Sequence, residues 1–145
     1  MTRGLSIFHA AMLAVLAPPA AALAHDAAPA GHGGVSARQG FAAPIPNIPG
    51  KSLKVVEVDF APGAADGAHR HARSAYIYAQ VLEGAIRSQV EGESARVYRA
   101  GEHWDEQPGA HHVGAANASK TKPARLLAVF VVDTDDTVLT TPDAK

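Results

Sequence analysis

Cysteine is absent from all 145 residues of the sequence. This absence excludes disulfide bonds, thiol catalysis, iron–sulfur clusters and zinc sites that rely on thiolates. A metal site in this chain would have to use histidine, carboxylate or other oxygen donors. An excess of positive charge is absent too, because 13 Lys and Arg residues stand against 14 Asp and Glu residues, for a formal net charge of −1. The charge therefore provides no basic surface for a nucleic-acid partner.

Long helices are not indicated either. No segment keeps a hydrophobic period of 3.6 residues, and no internal repeat is present. The 13 Gly and 10 Pro residues instead divide the chain into short segments with frequent turn signals. A hydrophobic content of 47% with 19% charged residues suits a packed core in one domain. The expected fold class is all-β, as in a sandwich or a barrel.

The N-terminal segment has the layout of a secretory signal peptide. Arg3 is followed by an apolar run without formal charge, and residues 22–24 are Ala-Leu-Ala, a small-x-small cleavage site. We predict cleavage of residues 1–24 and a secreted or periplasmic protein that is free of the membrane. The alternative is an uncleaved membrane anchor, which the short, Ala-rich run and its interruption by Pro18-Pro19 disfavour.

Residues 25–49 are rich in Ala, Gly and Pro. We interpret them as a flexible linker followed by an arm that runs extended over 41–50, because each Pro fixes its own φ angle and biases its predecessor toward extended geometry. Cleavage would place His25 at the new N-terminus, with His32 nearby. An α-amine together with imidazoles can bind copper, and the alternative, which this composition favours, is a solvated tail.

Residues 50–136 carry the strand pattern, and 137–145 are assigned to a C-terminal tail. Runs of β-branched and alternating residues end at turns and predict five strands, over 53–60, 76–82, 85–90, 95–98 and 125–133. Strand parity places an inward apolar stripe on the second of them, at Ile77, Ala79 and Val81. The opposite face would expose Tyr76, Tyr78 and Leu82, an apolar patch that suggests a homodimer interface, with coverage by 41–50 as the alternative.

His69 and His71 form the most informative polar pair in the sequence. Residues two apart on a strand point to the same face, so two imidazoles in this arrangement can bind one ion from one side. The pair alone is a weak signal, because two surface histidines on an edge strand show the same spacing. Its surroundings in the sequence carry more information.

Two spaced motifs surround this pair. The first matches at Gly63, His69, His71 and Gly84. The second matches at Gly101, Pro108, Gly109, His112 and Asn117. Together they resemble the two motifs of the cupin superfamily, here of the small, single-domain, quercetin-dioxygenase-like type. The resemblance implies a single antiparallel jelly-roll β-barrel, with one metal ion held by His69, His71 and His112.

The sequence departs from that family's pattern at the fourth ligand. The family has Glu where this chain has Ile77, so the resemblance implies a three-histidine site with coordination positions open to water, dioxygen or substrate. Imidazoles suit Fe, Zn, Cu or Ni, and one such divalent ion is the expected cofactor. Because ligand imidazoles must be neutral, metal is expected to leave below about pH 6.5. Glu106 is the candidate for acid–base catalysis or for orienting His112, whereas Glu102 and Asp105 are expected to be solvated.

Two functions suit such a site, one catalytic and one non-catalytic. The first is a metal-dependent oxygenase of a small organic substrate, with an isomerase or lyase less favoured, because many cupins are dioxygenases. The second is a non-catalytic module that binds a metal or a small ligand outside the cytoplasm, which the missing Glu and the additional His25 and His32 favour. A purely structural role would require the histidine spacing to be a coincidence.

Overall fold

The computed structural model describes residues 33–144, which form eleven strands and no helix within that range. The predicted signal peptide and both His25 and His32 lie outside the described residues. The strands are β1 (Val35–Pro44), β2 (Lys51–Phe60), β3 (Ala65–Asp66), β4 (His69–His71), β5 (Tyr76–Glu83), β6 (Ala85–Val90), β7 (Arg96–Arg99), β8 (His103–Glu106), β9 (His111–Asn117), β10 (Ala124–Asp133) and β11 (Thr140–Pro142).

The strands pair into two antiparallel sheets. One sheet has the order β1-β2-β10-β5-β8, and the other has the order β11-β4-β9-β6-β7, with β3 paired to β9. Buried side chains from both sheets pack into a common core, which makes the fold the predicted all-β, antiparallel jelly-roll barrel. Across residues 33–144 there is no helix of the length and apolarity needed to cross a membrane.

The five strands predicted from alternation are confirmed as β2, β5, β6, β7 and β10. Their faces also agree with the prediction. Ile77, Ala79 and Val81 are at most 1% exposed, whereas Tyr76 and Leu82 on the opposite face are 42% and 44% exposed. Period-two alternation was therefore a reliable guide wherever a strand had one buried face.

The arm before β2 differs from its prediction. Strand β1 begins at Val35, within the segment interpreted as linker and arm, and it pairs with β2 along its length. Val35 is buried opposite Phe60, and a register shift lies between Gln39 and Phe41. The prediction of an extended backbone is wrong for residues 45–50, which form turns. Neighbouring strand β2 supplies the hydrogen bonds that define β1, and no alternation within the segment itself signals them.

The predicted C-terminal tail also contains a strand. Residues Thr140–Pro142 form β11 and pair with β4, the strand that carries the His69-x-His71 pair. The tail therefore covers an edge of the second sheet next to these histidines.

Four motif glycines, at 63, 84, 101 and 109, all have positive φ. Gly84 is the most constrained of them, because its φ is 71° and a Cβ added there would lie 2.6 Å from the carbonyl oxygen of Pro123. The tight turn between β5 and β6 thus requires glycine on two counts. These glycines hold the turns that keep the barrel strands in register.

One face of the first sheet points away from the core and carries an apolar row. Cross-strand pairing aligns Phe41 with Val55, Val55 with Val129, and Val129 with Tyr78. We call these four residues the outer apolar row. Phe41 is 50% exposed and Tyr78 is 36% exposed. Residues 41–44 pair with β2 and leave Tyr76, Tyr78 and Leu82 on the surface, so the alternative that 41–50 covers them is wrong.

Candidate metal centre

Three histidines meet inside the barrel on two neighbouring strands. His69 on β4 is the cross-strand partner of His112 on β9, and His71 follows two residues later on the same face as His69. One ring nitrogen from each histidine lies within 4.8 Å of the others. His69 is 6% exposed and His112 is 4% exposed. The side chains that the motifs singled out are thus a single buried cluster that could hold a metal ion.

Each imidazole is oriented by a contact on the side away from the cluster. His69 Nδ1–H donates to the carbonyl of Gly67 at 2.9 Å, and His112 Nε2 is bonded to Ser88 Oγ at 2.8 Å. His71 Nδ1 lies 3.4 Å from a main-chain carbonyl just before β11. A proton on each outer nitrogen leaves a lone pair on the inner one, which is the state that a metal ligand requires.

Glu106 brings a carboxylate to the same place. It lies on β8 directly opposite Ile77 on β5, and it is 3% exposed. The indole Nε1–H of Trp104 donates to Glu106 Oε1 at 2.9 Å. Glu106 Oε2 lies 3.1 Å from His71 Nε2, yet the geometry of that contact leaves Oε2 without a hydrogen bond among the described residues.

The electrostatics of the cluster favour a neutral imidazole next to a charged carboxylate. Burial lowers the pKa of His112 to about 4, and the nearby charge of Glu106 opposes this only in part. Burial alone would raise the pKa of Glu106, but contact with His71 and the charge that His112 carries once it is protonated outweigh burial and hold that pKa below its usual value. At neutral pH the site therefore presents an unprotonated His112 and an ionised Glu106, which a metal ion can bind without displacing a proton.

The cluster forms part of the wall of a cavity of about 630 Å³. The remaining wall is mostly aliphatic and aromatic and comes mainly from β1, β2, β5, β10 and the chain around β11. Asp66 and Glu106 are the acidic residues of the lining, and no Lys or Arg lines the cavity in the part of the chain described. Lys54, on the same strand as several lining residues, directs its ammonium to the main-chain carbonyl of Asp136 instead. The cavity is therefore an apolar chamber with one polar wall.

His111, the residue before His112 in the second motif, is not part of the cluster. His111 points away from it, as predicted, and is bonded to Glu91 at 3.2 Å and Asp143 at 2.8 Å. These two hydrogen bonds raise the pKa of His111. A smaller cavity of about 300 Å³ beside His111 contains none of the three clustered histidines. His111 thus ties the end of the described chain to the outside of the barrel.

Other motif residues have structural roles. Asn117 is buried, and its Nδ2 donates to the carbonyls of Phe60, Ala61 and Lys122. The expectation that Glu102 and Asp105 are solvated is confirmed, since both are on the surface. The sequence motifs do not include Ser88, although simple alternation places it on the buried face of β6.

A family model for the cupin domain matches residues 56–130, just over half of the chain. The chain belongs to the cupin family. The resemblance seen in the two motifs is therefore confirmed, and the matched segment contains all three clustered histidines and Glu106.

Solved structures with a similar fold include three of different kinds. An oxalate oxidase in complex with the substrate analogue glycolate is 25% identical, with a TM-score of 0.55 over 70% of this chain and 53% of its own. KdgF from Halomonas sp. is 25% identical, with a TM-score of 0.54 over 72% of this chain and 84% of its own. An uncharacterized double-stranded β-helix protein from Klebsiella pneumoniae subsp. pneumoniae MGH 78578 shares the fold at 18% identity and a TM-score of 0.59, over 78% of this chain and 89% of its own.

This cupin spans about half the length of the oxalate oxidase that it matches. No curated protein matches its sequence. The donor set of its barrel nevertheless fits a divalent transition metal, because three oriented imidazoles converge beside a buried carboxylate oxygen that has no hydrogen bond.

Proposed function

We propose that this cupin is a metal-dependent oxygenase of a small organic molecule that is uncharged and largely apolar. The observation that carries the proposal is the position of the histidine cluster in the wall of the apolar cavity. A site that only captured metal would not need an apolar chamber beside the ion. A metal next to such a chamber suits a substrate that reaches the ion while its apolar part contacts the barrel wall.

The charge of the cavity supports the neutral substrate class. Apart from the metal ion itself, an anionic substrate would find no cation, Lys or Arg, among the described lining residues, and it would meet two carboxylates, Asp66 and Glu106. The oxalate oxidase neighbour was solved with glycolate, which is a small anion. This chain shares that fold, but its cavity favours a different class of substrate.

A redox-active ion such as Fe or Cu would supply the electron transfer that dioxygen chemistry requires. The chain itself would hold three lone pairs toward one point through His69, His71 and His112. Ser88 and the Gly67 carbonyl would keep two of those rings from rotating. The apolar lining would give the reacting groups a less polar environment than bulk water. The acid–base role predicted for Glu106 stays a prediction.

Two further parts of the proposal concern location and assembly. The predicted cleavage of residues 1–24 supports export to the periplasm or the outside. The outer apolar row supports a homodimer, because two such rows packed together would remove Phe41 and Tyr78 from water.

The proposed reaction can be tested with purified protein. Bound metal is measured by elemental analysis, and oxygen consumption is then followed with neutral flavonols and diketones, with oxalate as the anionic comparison. Metal-dependent oxygen uptake on a neutral compound, without uptake on oxalate, is the expected result. Stoichiometric metal without oxygen uptake on the whole panel would instead support the non-catalytic binding module.

A further inference from the structure

Glu106 is the one buried polar side chain with an oxygen left unpartnered among the described residues. Its Oε1 accepts a hydrogen bond from Trp104, which fixes the carboxylate plane and directs Oε2 toward the histidines. Buried polar atoms normally have partners, so an orphaned carboxylate oxygen indicates a missing neighbour. The neighbours that it has on the cluster side are imidazole nitrogens.

We propose that Glu106 is the fourth protein ligand of the metal, supplied by β8 in place of the carboxylate that β5 lacks at Ile77. This inference rests on the proposed metal site. It assigns Glu106 to direct coordination through Oε2, which is a different role from the acid–base or orienting role that the sequence suggested.

Register explains how the carboxylate reaches the site. Ile77 and Glu106 are directly opposite each other on β5 and β8, and directly opposite residues of an antiparallel pair point to the same face. Glu106 therefore enters the barrel from the position next to Ile77, one strand farther along the sheet. The carboxylate that β5 lacks at Ile77 is therefore supplied to the same region of the barrel by β8.

The distances suit shared coordination. Two ligands with bonds of about 2.0–2.2 Å to one ion lie about 2.8–3.6 Å apart at angles between the octahedral and tetrahedral values. Glu106 Oε2 and His71 Nε2 are 3.1 Å apart, and Glu106 Oε1 and His112 Nδ1 are 3.5 Å apart. Both separations fall within that range, although the first pair of atoms makes no hydrogen bond.

Charge gives an independent argument. Three neutral imidazoles leave both positive charges of a divalent ion uncompensated, whereas the buried Glu106 has no Lys or Arg partner among the described residues. An ion bound between them would compensate the carboxylate, and the carboxylate would halve the charge left on the ion. A ligand set of three nitrogens and one carboxylate oxygen also accepts Mn(II), which three imidazoles alone bind less readily.

The test compares Glu106→Gln with Asp105→Asn, a matched control on the same strand whose carboxylate lies in solvent. The full chain is stripped with a chelator, and the dissociation constants of Mn(II) and Zn(II) are measured by competition. We expect Glu106→Gln to weaken Mn(II) binding by more than about 100-fold, beyond the 10–100-fold effect of groups that only orient a ligand. Asp105→Asn should bind as the wild type does. Wild-type affinity for both metals in Glu106→Gln would overturn the assignment.

A crystal structure of the zinc-loaded wild type shows whether Glu106 is a metal ligand or only orients one. Coordination requires Glu106 Oε2 at about 2.0–2.2 Å from the ion. An ion held by the three histidines with the carboxylate beyond about 3 Å would overturn the inference and leave the proposed metal site intact. A wild-type protein that binds neither metal would overturn both.

Thermal unfolding of the metal-free proteins guards against a folding defect. Glutamine has the size of glutamate and keeps an oxygen that can accept from the Trp104 indole, so Glu106→Gln should unfold cooperatively near the melting temperature of the wild type. A variant that melts well below the wild type and keeps its metal affinity would assign Glu106 a purely structural role, against the proposal.

Discussion

His69 and His112 lie directly opposite each other on β4 and β9, although the two residues belong to different motifs of the sequence. Their rings approach with centroids 5.0 Å apart at an interplanar angle of 69°. This cross-strand pair is the base of the candidate metal centre, and His71 completes it from the same strand as His69.

Replacing any one of the clustered histidines by alanine should abolish tight metal binding. Loss of one ligand in three removes a bond to the ion, so affinity should fall by more than the 10–100-fold typical of supporting residues. Elemental analysis after gel filtration gives the metal content of the His69→Ala, His71→Ala and His112→Ala proteins. The control is His103→Ala on the solvent side of β8, which should keep its metal. Full metal content in all three variants would contradict the site.

Ser88→Ala should weaken metal binding without removing it. The hydroxyl is 2.8 Å from His112 Nε2 and orients that ring, so its loss should reduce affinity by about 10–100-fold. Metal titration by calorimetry measures the change. Ser94→Ala, at an exposed position, is the matched control. Equal affinities in the two variants would show that Ser88 does not position His112.

The stability of the metal-free protein should fall between pH 6.5 and pH 4. The pKa of His112 is lowered from 6.5 to about 4 in the folded protein. Between these two values His112 is protonated in the unfolded chain but not in the folded protein, so falling pH favours unfolding. The loss should approach roughly 3 kcal/mol at the acid end. Glu106, whose pKa is below its ordinary value of 4.5, adds its own loss only below that value.

Urea unfolding of chelator-treated protein across this range measures the slope. His112→Gln should flatten the part of the curve between pH 6.5 and pH 4, because glutamine does not titrate. An identical slope in the variant would show that another group causes the acid sensitivity.

Gly84→Ala should destabilise the barrel more than Gly92→Ala does. Both glycines have positive φ, at 71° and 86°, so both substitutions strain the backbone, by about 1–3 kcal/mol. Only at Gly84 would the new Cβ also meet the Pro123 carbonyl at 2.6 Å, since nothing lies within 4 Å at Gly92. Urea unfolding gives both free energies. Equal losses would mean that the turn relaxes to accommodate the methyl group.

Light scattering during gel filtration tests the proposed homodimer. The wild type should have twice the mass of one chain, and Tyr78→Lys should be monomeric, because a charge at this end of the outer apolar row would have to be buried in the interface. Val97→Lys, at an exposed apolar residue of the other sheet, should remain dimeric. A monomeric wild type would contradict the assembly.

Local sequence patterns were sufficient to predict several strands, their buried faces and the three clustered histidines. Alternation in β2, β5 and β10 predicted both the strands and their buried faces, because side-chain period along a strand is a property of a few consecutive residues. Spacing of histidines and glycines was sufficient to indicate the family and the three clustered side chains. The left-handed turns were likewise marked by glycine, the residue that adopts them without strain.

Tertiary structure alone decided the features that depend on register between distant strands. No local pattern indicates that Glu106 lies opposite Ile77, or that β1 and β11 form at the sheet edges, because each is defined by hydrogen bonds to a strand elsewhere in the chain. The unpartnered oxygen of Glu106 and the absence of cations from the described cavity wall are also properties of the assembled barrel. Sequence set which side chains face inward, and long-range pairing set which of them meet.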